Sequence, residues 1–238
     1  MIAQSPTSDS AYICRISTSS WQYIAKTPKE AYTIAKGPGS IIGITYINNS
    51  DVQSDNKCVY FIESRDEGLT WSLPLKIYQP VYNGSNADSL AAHRGISMVY
   101  MDSIPCITFD AAKFNPANNT YNLKASSKIM FWRSTLIGTD PYKSITAADT
   151  TYTPYPPADS IRTGTDDEYP IFSRPVIGLS SEPESVFIAF QTLTKHWGGI
   201  PPDTANYKAI YITISYHNGS FESPRQISPA NTLQDWSY

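Results

Sequence analysis

Residues 64–71 read Ser64-Arg65-Asp66-Glu67-Gly68-Leu69-Thr70-Trp71, and this stretch is the clearest indication of the fold in the chain. Residues 59–64 are mostly β-branched and aromatic, which is typical of a strand. Residues 65–68 are polar turn formers ending in glycine, and residues 71–77 form a second, largely apolar stretch. Strand, turn and strand in this order predict a β-hairpin.

The side chains of this hairpin suit the stabilisation of a turn. Gly68 can adopt a positive φ at little steric cost. Ser64, Asp66 and Thr70 can form hydrogen bonds with nearby backbone groups, which holds a tight turn in place. Trp71 offers a large apolar face that can fold over the hairpin. None of these groups is set up for chemistry, so we predict a structural role for them.

The same pattern returns along the chain and reveals a repeat. Residues 210–227 repeat the strand, the turn and the return strand, with Gly219 in the place of Gly68. Weaker copies occupy residues 11–24 and 128–145. Two further strands precede each full hairpin: first strands are predicted at about 31–35, 95–100 and 175–179, and second strands at 40–46, 104–109 and 185–190. Four strands per unit predict the blades of an all-β propeller.

We therefore interpret residues 1–238 as a single propeller region. Its predicted parts are the end of one blade (9–28), three blades (29–80, 89–148 and 169–228) and the start of a next element (229–238). Closed propellers usually contain four to eight blades, so about three and a half blades do not close a ring. We expect the ring to be completed by the remaining blades of a longer chain or by a second copy.

The pattern Ser-x-Asp-x-Gly-x-Thr-Trp resembles the Asp-box, or BNR repeat, of sialidases and related propellers. Residues 64–71 match it at every fixed position. The resemblance implies a sialidase-like β-propeller in which this hairpin joins the third and fourth strands of a blade, away from the active site. It thus predicts a fold better than an activity.

The resemblance also implies what a catalytic member would need: three arginines that clamp a sugar carboxylate, a Tyr–Glu nucleophile pair and an Asp acid/base. Phe172-Ser173-Arg174-Pro175 is similar to the family's Phe-Arg-Ile-Pro motif, but has serine where arginine belongs and arginine where isoleucine belongs. The sequence contains no Ser-His-Asp order, phosphate-binding glycine loop or zinc spacing. We therefore predict no catalytic residues.

Three cations recur at one position of the repeat. Lys29, Arg94 and Arg174 each lie 15 to 17 residues ahead of the aromatic residue that ends a second strand. First strands line the axis of a propeller, so these side chains are candidate ligands for a carboxylate in a central cleft. The alternative is that long cationic side chains simply begin exposed strands.

Two long loops offer further candidates. Residues 194–207 contain His196 and Trp197, and the indole could stack on a sugar, bind a partner or pack on the neighbouring blade. Residues 139–168 end in Asp166-Asp167-Glu168, which could hold Ca²⁺ or form a solvated turn. We otherwise expect no cofactor and no bound metal.

Composition excludes some classes of function. Charged residues make up only 16% of the chain and the net charge is −3, so a nucleic-acid partner is not expected. No apolar run is long enough to predict a membrane span, and no signal peptide is visible at the N-terminus. The three cysteines are each set in an apolar, β-rich run, which favours buried thiols over a disulfide or a reactive group.

Two functional hypotheses follow from these observations. The first is a non-catalytic β-propeller module of an extracellular or cell-surface protein that binds a protein or glycan partner. The alternative is a sialidase-type exo-glycosidase that hydrolyses terminal sugars, with part of its active site outside this chain.

Overall fold

The structure is a computed structural model, and it describes residues 1–5, 7–15, 17, 20–82, 89–136, 145–149, 170–180, 185–193, 208–216 and 220–228. Strands account for nearly all of its regular structure, with one short 3-10 helix, Ser134–Leu136, among the described residues. None of the helical structure in these ranges has the length and apolar character needed to cross a membrane.

The strands follow one another as antiparallel meanders. Their bounds are β1 (Ile2–Gln4), β2 (Ser10–Cys14), β3 (Trp21–Lys26), β4 (Tyr32–Lys36), β5 (Ile42–Ile47), β6 (Val59–Ser64), β7 (Leu75–Tyr78), β8 (Ser89–Met101), β9 (Ile104–Asn115), β10 (Thr120–Arg133), β11 (Ile145–Ala148), β12 (Ser173–Leu179), β13 (Val186–Leu193), β14 (Lys208–Tyr216), β15 (Ser220–Phe221) and β16 (Arg225–Gln226).

These strands form separate sheets whose order in space follows their order in the chain. They are an N-terminal sheet (β1–β3), a first blade (β4–β7), a second blade (β8–β11) and a third blade (β12–β15, with β16 beside β14). Strand β4 packs against β8, and β8 against β12, so the first strands of successive blades are neighbours. The chain is thus all-β, with the four-stranded antiparallel blades of a partial β-propeller.

The core lies between the sheets rather than within any one of them. The second and third blades enclose one cluster, the first and second blades a second, and the N-terminal sheet and first blade a third. The largest fully buried side chains are Trp132, Phe109, Phe114, Phe131, Phe172 and Phe190. Each fully buried side chain of this kind contributes roughly 1.5–3 kcal/mol, so blade docking supplies much of the stability.

The meander also defines two ends for each blade. The β4–β5 and β6–β7 turns lie at one end, and the β5–β6 and β7–β8 connections lie at the other, because neighbouring strands are antiparallel. Asp66 lies in the β6–β7 turn, and Asp110 lies toward the far end of β9. We call the two ends the Asp66 end and the Asp110 end.

The hairpin at the Asp66 end is held by one carboxylate. Asp66 Oδ1 accepts hydrogen bonds from Ser64 Oγ (2.8 Å) and from the backbone N–H groups of Leu69 (3.0 Å) and Thr70 (2.9 Å). Asp66 Oδ2 accepts from Thr70 Oγ1 (2.5 Å). The Ser64 hydroxyl also accepts from Gly68 N (2.7 Å), and Gly68 has a φ of 83°. These bonds, led by those from Thr70, lower the pKa of Asp66 to about 2.

Several strands differ from the sequence-based expectation, and β1 and β8 show why. Strand β1 was not predicted, because three residues are too few to display an alternation. Strand β8 begins at Ser89, six residues before the predicted Gly95, because residues 89–92 pair with β9 beyond a β-bulge between Ala92 and Ile96. The bulge interrupts the alternation of apolar and polar residues, so the alternation alone predicts a strand that begins too late.

The prediction of buried thiols is confirmed: Cys14, Cys58 and Cys106 are buried and free. Burial raises the pKa of Cys106 to about 11 and that of Cys58 to about 12. Both groups are therefore protonated at neutral pH, and weakly nucleophilic.

Replacing Asp66 tests the role of its carboxylate. Asp66→Ala removes the acceptor of the bonds from Ser64, Leu69 and Thr70, and we expect a clearly lower thermal unfolding midpoint. Asp66→Asn keeps one acceptor oxygen, so its unfolding midpoint should lie between those of Asp66→Ala and the wild type. Because the pKa of Asp66 is lowered in the folded state, its contribution is present above pH 3.8 and is lost as pH falls toward about 2.

Asp51→Ala is the matched control, since this carboxylate is 97% exposed and pairs with Lys26 at 3.5 Å. It should leave the midpoint unchanged. An Asp66→Ala midpoint equal to that of the control would show that the hairpin does not depend on the carboxylate.

Candidate functional site

The candidate site lies at the Asp110 end, where the second and third blades meet. Asp110 is fully buried on β9. Its Oδ1 accepts hydrogen bonds from the backbone N–H groups of Arg94 (3.0 Å) and Gly95 (2.9 Å) on β8. Its Oδ2 accepts from the backbone N–H of Arg174 (3.3 Å) on β12. One carboxylate therefore fixes the backbone under two arginines that belong to different blades.

Both arginines lie at irregular points of their strands. Arg94 falls within the β8 bulge, and the β12–β13 register shifts between Ser173 and Val176, around Arg174. Arg174 has a φ of 51°, although it is not a glycine and precedes Pro175. A left-handed residue of this kind costs about 1–2 kcal/mol. Bulges and strained residues of this type re-aim side chains and are common beside binding sites.

Gly95 allows the two blades to come this close. A Cβ atom at this position would lie 2.6 Å from Asp110 Oδ2, 2.6 Å from Pro175 Cδ and 3.0 Å from the backbone nitrogen of Arg174. Real Cβ atoms do not approach other atoms so closely, so a larger residue would push β8 away from β12. The geometry around Asp110 therefore requires glycine here.

Burial controls the charge of Asp110. Removal of the carboxyl group from water raises its pKa to about 6, and the N–H groups of Arg94, Gly95 and Arg174 oppose this shift by stabilising the ionised form. Asp110 is thus mostly ionised at pH 7 and mostly protonated at pH 5. Only the ionised form presents both oxygens as acceptors to the two blades.

Basic groups surround the buried His93 at this end of the molecule. Burial is the main reason that the pKa of His93 falls to about 3, and the charges of Arg94, Lys57 and Lys208 lower it further. These cations come from the second blade, the β5–β6 connection of the first blade and the start of β14. Three cations from two blades and the β5–β6 connection therefore act on one imidazole at this end of the molecule.

Lys57 is held by aromatic rings. Its Nζ lies 5.7 Å from the ring centres of both Phe114 and Tyr121, and donates a hydrogen bond to Asn49 Oδ1 (2.8 Å). Tyr121 also stacks edge-on against His93, with ring centres 4.7 Å apart, and its hydroxyl donates to the backbone oxygen of Ala92. Burial lowers the pKa of Lys57 to about 8. The rings thus fix a cation beside the site.

The structure brings some of the sequence-predicted site residues together and not others. Arg94 and Arg174 meet at Asp110, whereas Lys29 lies in an exposed turn before β4, and no hydrogen bond among the described residues joins it to that carboxylate. His196, Trp197 and residues 166–168 lie outside the described residues, so a ligand role for the first two and a Ca²⁺ role for the others stay predictions. The copies of the hairpin turn around residues 138–140 and 217–219 lie outside them as well.

Asp110 and Gly95 were not predicted as site residues. A signal for Asp110 was present: it is the one charged residue in the apolar run 104–112, and an isolated buried charge needs dedicated partners. Nothing in the sequence links Asp110 to those partners, since Arg174 is 64 positions away.

No protein-family model matches the chain, and no curated protein does. Among solved structures, the GH93 α-L-arabinofuranosidase of Fusarium graminearum in complex with arabinobiose is 13% identical with a TM-score of 0.48, over 91% of this chain and 57% of that chain. The levansucrase of Gluconacetobacter diazotrophicus is 14% identical with a TM-score of 0.46, over 82% and 52%. The inulosucrase of Halalkalicoccus jeotgali bound to kestose is 13% identical with a TM-score of 0.46, over 84% and 56%.

The chain spans roughly half the length of these solved structures.

A pair of glycine variants tests the close approach of the blades. Gly95→Ala places a methyl group against Asp110 and Pro175, and we expect a loss of about 1–3 kcal/mol in the free energy of unfolding, as for other overpacked positions. Gly178→Ala lies on β12 with no atom within 4 Å of the new Cβ, and should change stability by no more than about 0.5 kcal/mol. Denaturant unfolding measures both. Equal effects would contradict the packing described here.

The pH dependence of stability tests the buried carboxylate. Between pH 3.8 and about 6 the folded state holds a proton on Asp110 that the unfolded state has released. This group therefore stabilises the fold at low pH, and its contribution is lost as pH rises through about 6, by an amount on the order of 3 kcal/mol. In Asp110→Asn this dependence should disappear from the unfolding free energy measured at pH 4 to 7.

Asp102→Asn serves as the control, because Asp102 is exposed in the β8–β9 turn and its left-handed φ of 54° suits asparagine. It should retain the pH profile of the wild type. A wild-type profile in Asp110→Asn would rule out a raised pKa at Asp110.

Proposed function

We propose that this chain is part of a non-catalytic propeller module that binds a carboxylate-bearing sugar at the Asp110 end, with Arg94 and Arg174 as the binding residues. The observation that carries the proposal is the shared anchor: Asp110 holds the backbone of both arginines in strained or bulged conformations. A guanidinium group suits a carboxylate because it can donate two parallel hydrogen bonds.

The surroundings of the two arginines support an anionic ligand. Lys57 and Lys208 act on His93 together with Arg94, which indicates a shared positive potential. The Asp110 end lies opposite the Asp66 hairpin. In the sialidase-like propellers that the hairpin resembles, the active site also lies away from this turn.

Binding is favoured over turnover by the position of Asp110. A carboxyl group with a pKa of about 6 has the acidity of a general acid. Asp110, however, is fully buried and accepts hydrogen bonds from three backbone N–H groups, so it cannot reach a ligand. Its geometry suits the positioning of the arginines.

The alternative remains a sialidase-type exo-glycosidase whose other residues lie outside this chain. A fluorogenic sialoside assay on the complete native protein separates the two. The binding module predicts no turnover, whereas turnover that is abolished by Arg94→Ala would establish the enzyme.

We also propose that a further sheet packs on the outer face of the third blade. Val176 of β12 is 61% exposed, and Phe187 of β13 and Ile212 of β14, on the same face of the sheet, are only half-buried. Ile177, on the opposite face, is buried against the second blade. A sheet face with this much exposed apolar surface is typical of an interface. Remaining blades of a longer chain or a second copy would both fit, and the mass of the native particle by analytical ultracentrifugation distinguishes them.

We place the module in an extracellular or cell-surface protein, where sugars with terminal carboxylates are displayed. Fractionation of the native source into cytosol, cell surface and medium tests this, and a purely cytosolic protein would contradict it.

Arg174→Gly separates binding from stability. Glycine removes the left-handed strain of about 1–2 kcal/mol but adds freedom to the unfolded chain, so the unfolding free energy should stay within about 1 kcal/mol of the wild type. Loss of the guanidinium should weaken binding of N-acetylneuraminic acid at least about tenfold in calorimetry, since hydrogen bonds between charged groups contribute roughly 1.5–3 kcal/mol.

Two controls accompany this variant. The methyl ester of N-acetylneuraminic acid lacks the charge and should bind weakly to the wild type. Arg225→Ala removes an arginine that is 79% exposed on β16, and should bind the acid like the wild type. Equal binding of acid and ester would exclude recognition through the carboxylate.

A further inference from the structure

A second concave site lies at the Asp66 end, between the N-terminal sheet and the first blade. It is a cleft of about 440 Å³, which is within the usual range of small-ligand pockets. Its walls come from the end of β2, from β3, from β4 and β5, and from the hairpin that contains Asp66. It therefore opens on the face opposite Arg94 and Arg174, and it does not depend on the function proposed above.

The inner wall of the cleft is apolar. It includes the indole of Trp71 together with Ile34, Ile42 and Leu69. Leu69 is 58% exposed and Ile34 is 39% exposed, so this surface is only partly covered within the chain. An indole beside exposed aliphatic groups can receive the flat, C–H-rich face of a ligand.

The rim of the cleft is polar and carries both signs of charge. Arg15 Nη2 lies 3.8 Å from Glu67 Oε2 across the opening, and Gln22 of β3 adds an amide with both donors and an acceptor. Glu67 has a φ of 59°, directly before Gly68 at 83°. A left-handed residue other than glycine or asparagine is costly, and here it places a carboxylate at the rim of a cleft.

We infer that this cleft binds one ring of a neutral saccharide, with the ring face on Trp71 and the hydroxyl groups on Gln22, Glu67 and Arg15. A sugar ring matches the lining because it combines an apolar face with an edge of hydroxyls that both donate and accept. A ligand with a net charge would be attracted to one member of the Arg15–Glu67 pair and repelled by the other, so charge offers little net gain.

The experiment titrates the chain with lactose, cellobiose and maltose, using saturation-transfer NMR on the sugar and tryptophan fluorescence on the protein. We expect at least one disaccharide to saturate the site with a dissociation constant of about 1 mM, as for a single small polar ligand. Gln22→Ala and Glu67→Asn should each weaken this binding at least about fivefold. Asparagine tolerates a positive φ, so Glu67→Asn removes the charge with little change to the turn.

Glu30→Asn is the matched control, because Glu30 is an exposed glutamate with a similar φ of 64° at the other end of the first blade. It should bind the sugar like the wild type. Arg174→Gly should also bind the sugar like the wild type, because Arg174 lies at the Asp110 end. Loss of binding at the Asp110 end is thereby distinguished from loss of sugar binding in this cleft. The inference is overturned if none of the three sugars saturates, or if Gln22→Ala and Glu67→Asn bind as tightly as Glu30→Asn.

Discussion

Every sheet in this chain depends on its neighbours, because the second blade is apolar on both faces and no blade encloses a core of its own. Ile107 and Phe109 of the second blade face the first blade, while Cys106 and Phe131 face the third. An isolated blade would leave one or both of these surfaces in water, at a cost far larger than the marginal stability of a domain. Sheet stacking, more than strand pairing, thus holds the molecule together.

Stacking of apolar faces is tolerant of small shifts, and the polar contacts between the second and third blades remove that tolerance. Asp110 accepts from the backbone of Arg174, the Ser127 hydroxyl accepts from the backbone N–H of Phe172 (2.9 Å), and the Ser97 hydroxyl accepts from that of Ile177 (3.3 Å). Hydrogen bonds are directional and buried groups must be satisfied, so these contacts fix one register between the blades. The same register fixes the backbone of Arg94 relative to that of Arg174 in the candidate site.

The fold could be predicted from the sequence because patterns of consecutive residues indicate its strands and turns. The hairpin at residues 64–71 displays its turn chemistry in consecutive residues, and alternation marks most first and second strands. The site could be predicted only in part. The spacing of Arg94 and Arg174 followed from the repeat, but the link between them is a carboxylate on another strand, and the sequence contains no local sign of that contact. The strained backbone at Arg174 is likewise a product of tertiary geometry.

The meander order of the strands has a kinetic consequence. Apart from β16, which pairs with β14, each strand pairs with its neighbour in the chain, so the closure of a sheet joins residues close in sequence and costs little loop entropy, even across the longer connection at 194–207. The contact between Asp110 and Arg174 spans 64 positions and can form only when the second and third blades pack together. Contacts of high sequence separation tend to form late, so we expect the contacts between the second and third blades to form after the transition state for folding. Interactions that form after the transition state slow unfolding and leave the folding rate nearly unchanged. The contact between Asp110 and Arg174 would then lengthen the lifetime of the folded molecule.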